Sequence, residues 1–111
     1  MKPEDLTEKL VIEILKEHRD NLKKYGVRKI GLFGSFVKGE ATRKSDIDMV
    51  VDFDPSFFGK DFKGLFDAYT NVSSFLEKLF GRKVEILTPV NIETMRIKEV
   101  AEEIKRSVIY V

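Results

Sequence analysis

The sequence predicts a mixed domain of helices and strands, α/β or α+β, in the order α-β-β-α-β-α. Three observations predict it. Two long stretches carry apolar residues at helical spacing, three short runs are rich in β-branched and aromatic residues, and Gly or Pro stands at most of the joins. The 111 residues are expected to form one domain, residues 1–111, with one modest core.

The first helix is predicted over residues 3–24. Leu6, Leu10, Ile14, His18 and Leu22 recur every four residues, with Val11 and Leu15 beside them. Pro3 suits a first turn, and Gly26 is the stop. His18 reads as an ordinary surface residue of this helix. Lys29 to Phe33 reads as a short strand ending at Gly34, Phe36 to Glu40 as a brief helical turn, and Gly39 to Ser45 as polar loop. Asp46 to Phe53 is the second strand, closed by Asp54-Pro55. From about residue 61 to Phe80, the residues Phe62, Leu65, Phe66, Tyr69, Val72, Leu76 and Leu79 keep helical spacing, and Gly81 ends the run. Lys83 to Thr88 is the third strand. Asn91 is placed to cap a last helix carrying Ile92, Met95, Val100, Ala101 and Ile104. The apolar tail Val108 to Val111 is either an edge strand or a partner contact.

Composition excludes several classes. Twenty Lys+Arg offset 19 Asp+Glu, for a net charge of +1. Such a chain has no general attraction to nucleic acid or acidic membranes, so direct binding to either is not expected. There is no cysteine, which fits a reducing compartment. Residues 1–20 alternate charged and apolar positions rather than forming a signal peptide, and no apolar run is long enough to span a bilayer. The expected location is the cytoplasm.

The chemistry concentrates between residues 34 and 48. Gly34-Ser35 sits where the first strand ends, and ten residues later comes Asp46-Ile47-Asp48. Glycine lets a backbone approach a phosphate, and neighbouring N–H groups with a hydroxyl can hold phosphate oxygens. Gly34 and Gly39 have P-loop spacing, but Glu40-Ala41 stands where Lys-Ser/Thr is required, so that motif is excluded. Alternation along a strand sends Asp46 and Asp48 to one face and Ile47 to the other. Two carboxylates so placed can hold hard cations such as Mg²⁺. Without a cation they repel, and one tends to protonate. Glu85, between Val84 and Ile86, offers a third acid as metal ligand or proton acceptor. Asp52 shares the Asp46/Asp48 face but lies farther along the strand. Lys38, Arg43 and Lys44 stand between the motif halves, where each is either a solvated loop charge or a triphosphate contact. Ser45 either shapes the turn before Asp46 or joins them.

The combination of Gly34-Ser35, Asp46-Ile47-Asp48 and the segment from Lys83 to Pro89 resembles the minimal nucleotidyltransferases (MNT proteins), within the superfamily related to DNA polymerase β. Gly39, Ser45 and Val50-Val51 also fit that pattern, and the resemblance covers nearly the whole chain. It implies a nucleotidyltransferase fold, a small mixed sheet flanked by helices, with two Mg²⁺ ions and ATP as donor. It implies that Asp46, Asp48 and Glu85 are catalytic and metal-binding. Gly34, Ser35, Arg43, Lys44 and Ser45 are then the nucleotide contacts. It further implies an antitoxin that transfers AMP to a tyrosine of a partner HEPN-domain ribonuclease toxin. Two residues depart from the pattern. Glu85 stands where many members have Asp, which moves the carboxylate by roughly 1.5 Å, and Val37 replaces a smaller residue. Two other readings stand beside this one: an antitoxin that neutralises by binding alone, and a nucleotidyltransferase for small hydroxyl compounds. Among Phe57, Phe58, Phe62 and Phe66, most are expected in the core, with Phe57 and Phe58 the better interface candidates. Homo-oligomer formation is left open.

Overall fold

In the computed structural model, residues 6–42, 44–58 and 64–111 are described. Their helices are α1 (Glu8–Glu17), α2 (Arg19–Lys24), α3 (Ser35–Lys38), α4 (Pro55–Phe58), α5 (Leu65–Phe80), α6 (Pro89–Glu93) and α7 (Lys98–Ser107). The strands are β1 (Val27–Phe33), β2 (Ile47–Phe53), β3 (Val84–Leu87) and β4 (Ile109–Tyr110). They form one mixed sheet in the order β3-β2-β1-β4. β1 runs antiparallel to β2 and to β4, whereas β2 and β3 are parallel and α5 lies in the connection between them.

Alternation along β2 divides the molecule. Ile47, Met49 and Val51 are fully buried and join Phe53, Ile30, Leu32, Val84 and Ile86 in the main core. That face is covered by Val11 and Leu15 of α1, Leu22 of α2, and Ala68, Val72, Leu76 and Phe80 of α5. Val50 points the other way and meets Ile92, Ala101 and Ile104 from α6 and α7 in a smaller cluster. The same face carries Asp48, which is partly buried, and Glu85, which is exposed.

The predicted order holds, with differences at the joins. The first helix is two, because the chain departs from helical geometry at His18. The His18 ring is not a plain surface group. Its Nδ1 lies 3.0 Å from the Ile14 carbonyl, and its edge meets the Phe75 ring at 6.0 Å. The last helix is also two. Thr88, not Asn91, caps α6: Asn91 N–H donates to Thr88 Oγ1 at 3.2 Å while Thr88 N–H donates to Asn91 Oδ1 at 3.0 Å. Asp54 does more than end a strand, since its Oδ1 accepts from both N–H and Oγ–H of Ser56 and opens the short α4.

The tail is an edge strand. Tyr110 pairs with Gly31, where a Cβ would come within 2.7 Å of Val108 Cγ2, so the absence of a side chain lets the tail lie on β1. Of the phenylalanines, Phe58 packs edge-on against Phe53, whereas Phe57 and, against expectation, Phe66 are exposed. Phe62 and Pro3 lie outside the described residues. Among the described residues no helix is long and apolar enough to cross a membrane.

Leu76 is fully buried at the centre of α5's seat on the sheet. Truncation there removes its contacts and leaves a cavity. Leu76→Ala should therefore cost ~3 kcal/mol in urea unfolding. A loss below ~1 kcal/mol would show that α5 is not seated as described.

Candidate active site

The site forms where three strands meet at one level of the sheet. In the register of the strands, Asp48 stands between Phe33 of β1 and Glu85 of β3. Its identity as a β2 residue facing away from the main core follows from Ile47 and Met49 on either side, both fully buried. Glu85 is placed by the same logic, between buried Val84 and Ile86.

Gly34 follows Phe33 and turns the chain from β1 into α3 with φ +78° and ψ −145°, a conformation that side chains disfavour. Its Cα faces Asp48. A Cβ there would overlap Asp48 Oδ2 and lie 3.1 Å from Cγ. The glycine of the motif thus has a second reason to be glycine: its backbone is packed against the carboxylate. Ser35 begins α3, whose first N–H groups have no acceptor within the helix.

Burial between these elements pushes the Asp48 carboxyl up to about 6. The Glu85 charge, a hydrogen bond with Glu85 and the Asp46 charge push in the same direction. Below about pH 6, with no cation bound, the Asp48 carboxyl is therefore protonated. Asp46 precedes the strand by one residue, near enough for its charge to be felt at Asp48. Among the described residues, no three acid or histidine side chains converge as a ready-made metal cluster. The donor set still fits a hard divalent cation. Burial and the neighbouring acids disfavour the ionised form of Asp48, and a bound divalent cation would offset both penalties.

The pair lines an open cleft of about 600 Å³ with Phe33, Tyr69, Lys83 and Leu87. Tyr69 donates from its hydroxyl to the Ile86 carbonyl at 2.9 Å and so ties α5 to β3 along the cleft. It also walls an adjoining apolar cleft of about 460 Å³ with Phe53, Leu65, Phe66, Thr88 and Asn91.

The remaining sequence candidates separate. Ser45 Oγ accepts from Thr42 N–H at 2.8 Å, so this hydroxyl closes the turn before Asp46. Lys44 is exposed, and its N–H donates to Thr42 Oγ1. Lys38 pairs with Glu103 of α7, which raises its pKa. Asp52 is bound by Arg28 at 2.8 Å and stands apart from Glu85. Arg43 lies outside the described residues. Sequence reasoning missed Phe33, Tyr69 and Arg82. The spacing of Tyr69 marked it as a helix residue but not as a cleft wall. Nothing in the sequence signals that Arg82 Nη1 donates to the carbonyls of Thr42 (3.1 Å) and Ser45 (3.0 Å).

Comparison with known proteins gives a consistent picture. The nucleotidyltransferase domain profile matches residues 11–108. The protein adenylyltransferase MntA of Thermococcus cleftensis is 33% identical over 109 residues, covering 96% of this chain and 97% of that one. A Methanocaldococcus jannaschii protein, provisionally named a protein adenylyltransferase, is 40% identical over 92 residues, 82% of this chain and 87% of that one. Two solved structures share the fold at 21% identity. One, provisionally described as a minimal nucleotidyltransferase, has a TM-score of 0.69 over 95% of this chain and 96% of that one. The other is a toxin–antitoxin crystal structure with AMP-PNP, with a TM-score of 0.58 over 95% of this chain and 72% of that one.

The raised Asp48 pKa fixes a sign. Folded Asp48 holds its proton to about pH 6, whereas the unfolded chain releases it near the ordinary value of 3.8. Its contribution to stability is thus fully present below 3.8 and lost as pH rises through about 6. In metal-free buffer, Asp48→Asn should stabilise the protein at pH 8 by ~1 kcal/mol, a figure reduced for water screening of a half-buried group. The gain should fade at pH 3.5. Denaturant unfolding at the two pH values checks this, and equal or lower stability of the variant at pH 8 would contradict it.

Proposed function

The chain belongs to the nucleotidyltransferase domain family, and from that premise we propose that it transfers AMP from ATP, with Mg²⁺, to a tyrosine hydroxyl of a HEPN-domain toxin. That it is a nucleotidyltransferase rests on the family match and on relatives named as protein adenylyltransferases. The finer reading draws on the MntA relative and on the likeness to a toxin–antitoxin structure with AMP-PNP. One observation carries it: the Gly34 turn is packed against the carboxyl of Asp48, which stands opposite Glu85 in the register of β2 and β3.

Each residue then has a task. The N–H groups of Ser35 and its neighbours, with the Ser35 hydroxyl, bind triphosphate oxygens where α3 begins. Lys44, exposed on the loop, and Arg43 offset the triphosphate charge. Ser45 holds the turn that presents Asp46. Asp46, Asp48 and Glu85 would hold Mg²⁺, which when bound supplies positive charge to the reacting phosphate and to the attacking and leaving oxygens. The tyrosine oxygen forms a bond to the α-phosphorus, the bond from that phosphorus to the bridging oxygen breaks, and diphosphate leaves. Glu85 accepts the tyrosine proton. The open cleft beside Asp48 and Glu85 admits a side chain presented by another protein.

Asp46→Asn with Asp48→Asn should lower transfer of labelled AMP to the HEPN partner by more than ~100-fold while leaving the far-ultraviolet circular dichroism spectrum unchanged. Undiminished labelling would remove this mechanism. A variant that has lost labelling yet still protects cells from the toxin would instead favour neutralisation by binding.

A further inference from the structure

We propose that Arg82 is a positioning residue that locks the two halves of the Gly-Ser…Asp-x-Asp motif together and thereby fixes Asp46 for cation binding. This rests on the reading of the acidic site given above.

The geometry points to a clamp. Arg82 stands in the turn between α5 and β3, and one guanidinium nitrogen, Nη1, donates to the carbonyls of Thr42 and Ser45. Those carbonyls bracket the end of the loop, and the Ser45 carbonyl belongs to the peptide that enters Asp46. The guanidinium carbon also lies 5.5 Å from the centre of the Phe36 ring. Phe36 is the second residue of α3, next to Ser35, and is itself buried in the main core. A single cation thus lies beside the helix that begins at Ser35 and holds the loop that delivers Asp46.

The base of the side chain is itself fixed. Gly81 ends α5 with φ +69°. Two residues after Arg82 begins β3, where Val84 N–H donates to Glu77 Oε2 at 3.1 Å. Between them the Lys83 carbonyl accepts from Ile47 N–H at 3.0 Å, and Ile47 is the residue between the two motif acids. The clamp is therefore anchored on the same strand pair that carries Asp48 and Glu85. The chemistry suits arginine. The two hydrogens of Nη1 serve two carbonyls while the guanidinium carbon stays within cation–π range of the Phe36 ring. A lysine ammonium could reach the carbonyls but would lose the fixed fork geometry of the guanidinium.

The test uses Mn²⁺ as the cation probe, with the full chain and AMP-PNP, and reads free Mn²⁺ by electron paramagnetic resonance well below the unfolding temperature. Arg82→Ala should weaken Mn²⁺ binding by ~10-fold or more, as expected when a group that orients a metal ligand is removed. Arg82→Lys should recover part of that loss. In metal-free buffer, hydrogen exchange at the amides of Lys44 and Ser45 should quicken in Arg82→Ala. Equal Mn²⁺ affinity in wild type and a folded Arg82→Ala would overturn the proposal. Should Arg82→Ala fail to fold, Arg82→Lys decides: an affinity equal to wild type overturns the clamp, and a several-fold loss in a folded variant supports it. A wild-type chain that binds no Mn²⁺ would overturn both the acidic-site reading and this inference. A wild type that binds while Arg82→Ala matches it overturns the inference alone.

Discussion

The alternation of side chains along β2 is the constraint on which the rest of the molecule depends. Ile47, Met49, Val51 and Phe53 are committed to the main core, so their orientation cannot change without opening it. The intervening positions must then face the opposite side of the sheet. At Val50 that side is covered by Ile92, Ala101 and Ile104. At Asp52 it is neutralised by Arg28. Asp48 alone among the three is left beside another carboxylate, that of Glu85. One register thus assigns three polar or apolar fates to three consecutive outward residues. A slip of one position would bury both Asp48 and Asp52 in the core.

The Asp48 environment works against the stability of the metal-free fold. A half-buried carboxyl beside a second acid, packed against the Gly34 turn, is held protonated up to about pH 6. A sequence selected for stability alone would place an amide or an apolar residue there. The local cost is tolerable because the surrounding elements are over-determined. β2 is paired on both edges, its inner face is fully buried, and Tyr69 fastens α5 to the neighbouring strand. The unfavourable group is thus held by a frame that does not depend on it. Such a combination marks sites built to bind something of opposite charge.

Much of this was legible in the sequence, for definite reasons. Strand alternation predicted that Ile47 is buried and that Asp48 faces out, and the placement of Glu85 between Val84 and Ile86 put it on the same face. The spacing of Gly34-Ser35 and Asp46-Ile47-Asp48 is by itself enough to mark the motif. What escaped was contact chemistry between distant segments. Helical periodicity continues through His18, yet the helix breaks there. Asn91 looks like a cap because it precedes apolar residues, yet Thr88 holds that position and Asn91 answers from three residues on. Phe66 keeps helical spacing but lies on the exposed side of α5. Arg82 lies 37 residues from Ser45 in sequence, and one charged residue in a turn carries no sign of the carbonyls it will meet.

The uneven covering of the second sheet face explains why the site is open rather than enclosed. Helices α6 and α7 pack on Val50, Leu87 and Phe33, whereas Glu85, one pleat away from Leu87, is exposed. Among the described residues the cleft is walled by Phe33 and Tyr69 and by the edge strand itself. A small molecule in such a cleft would keep much of its surface in water and gain little from burial. A segment presented by a larger body can instead bring its own covering surface, so that exclusion of water is completed on association. The adjoining apolar cleft, with Phe66 exposed at its rim, lies on the other side of the Tyr69 wall and extends the surface available to such a body. The proposed protein acceptor suits such a surface, because it would bring its own cover to a cleft that the chain alone leaves open.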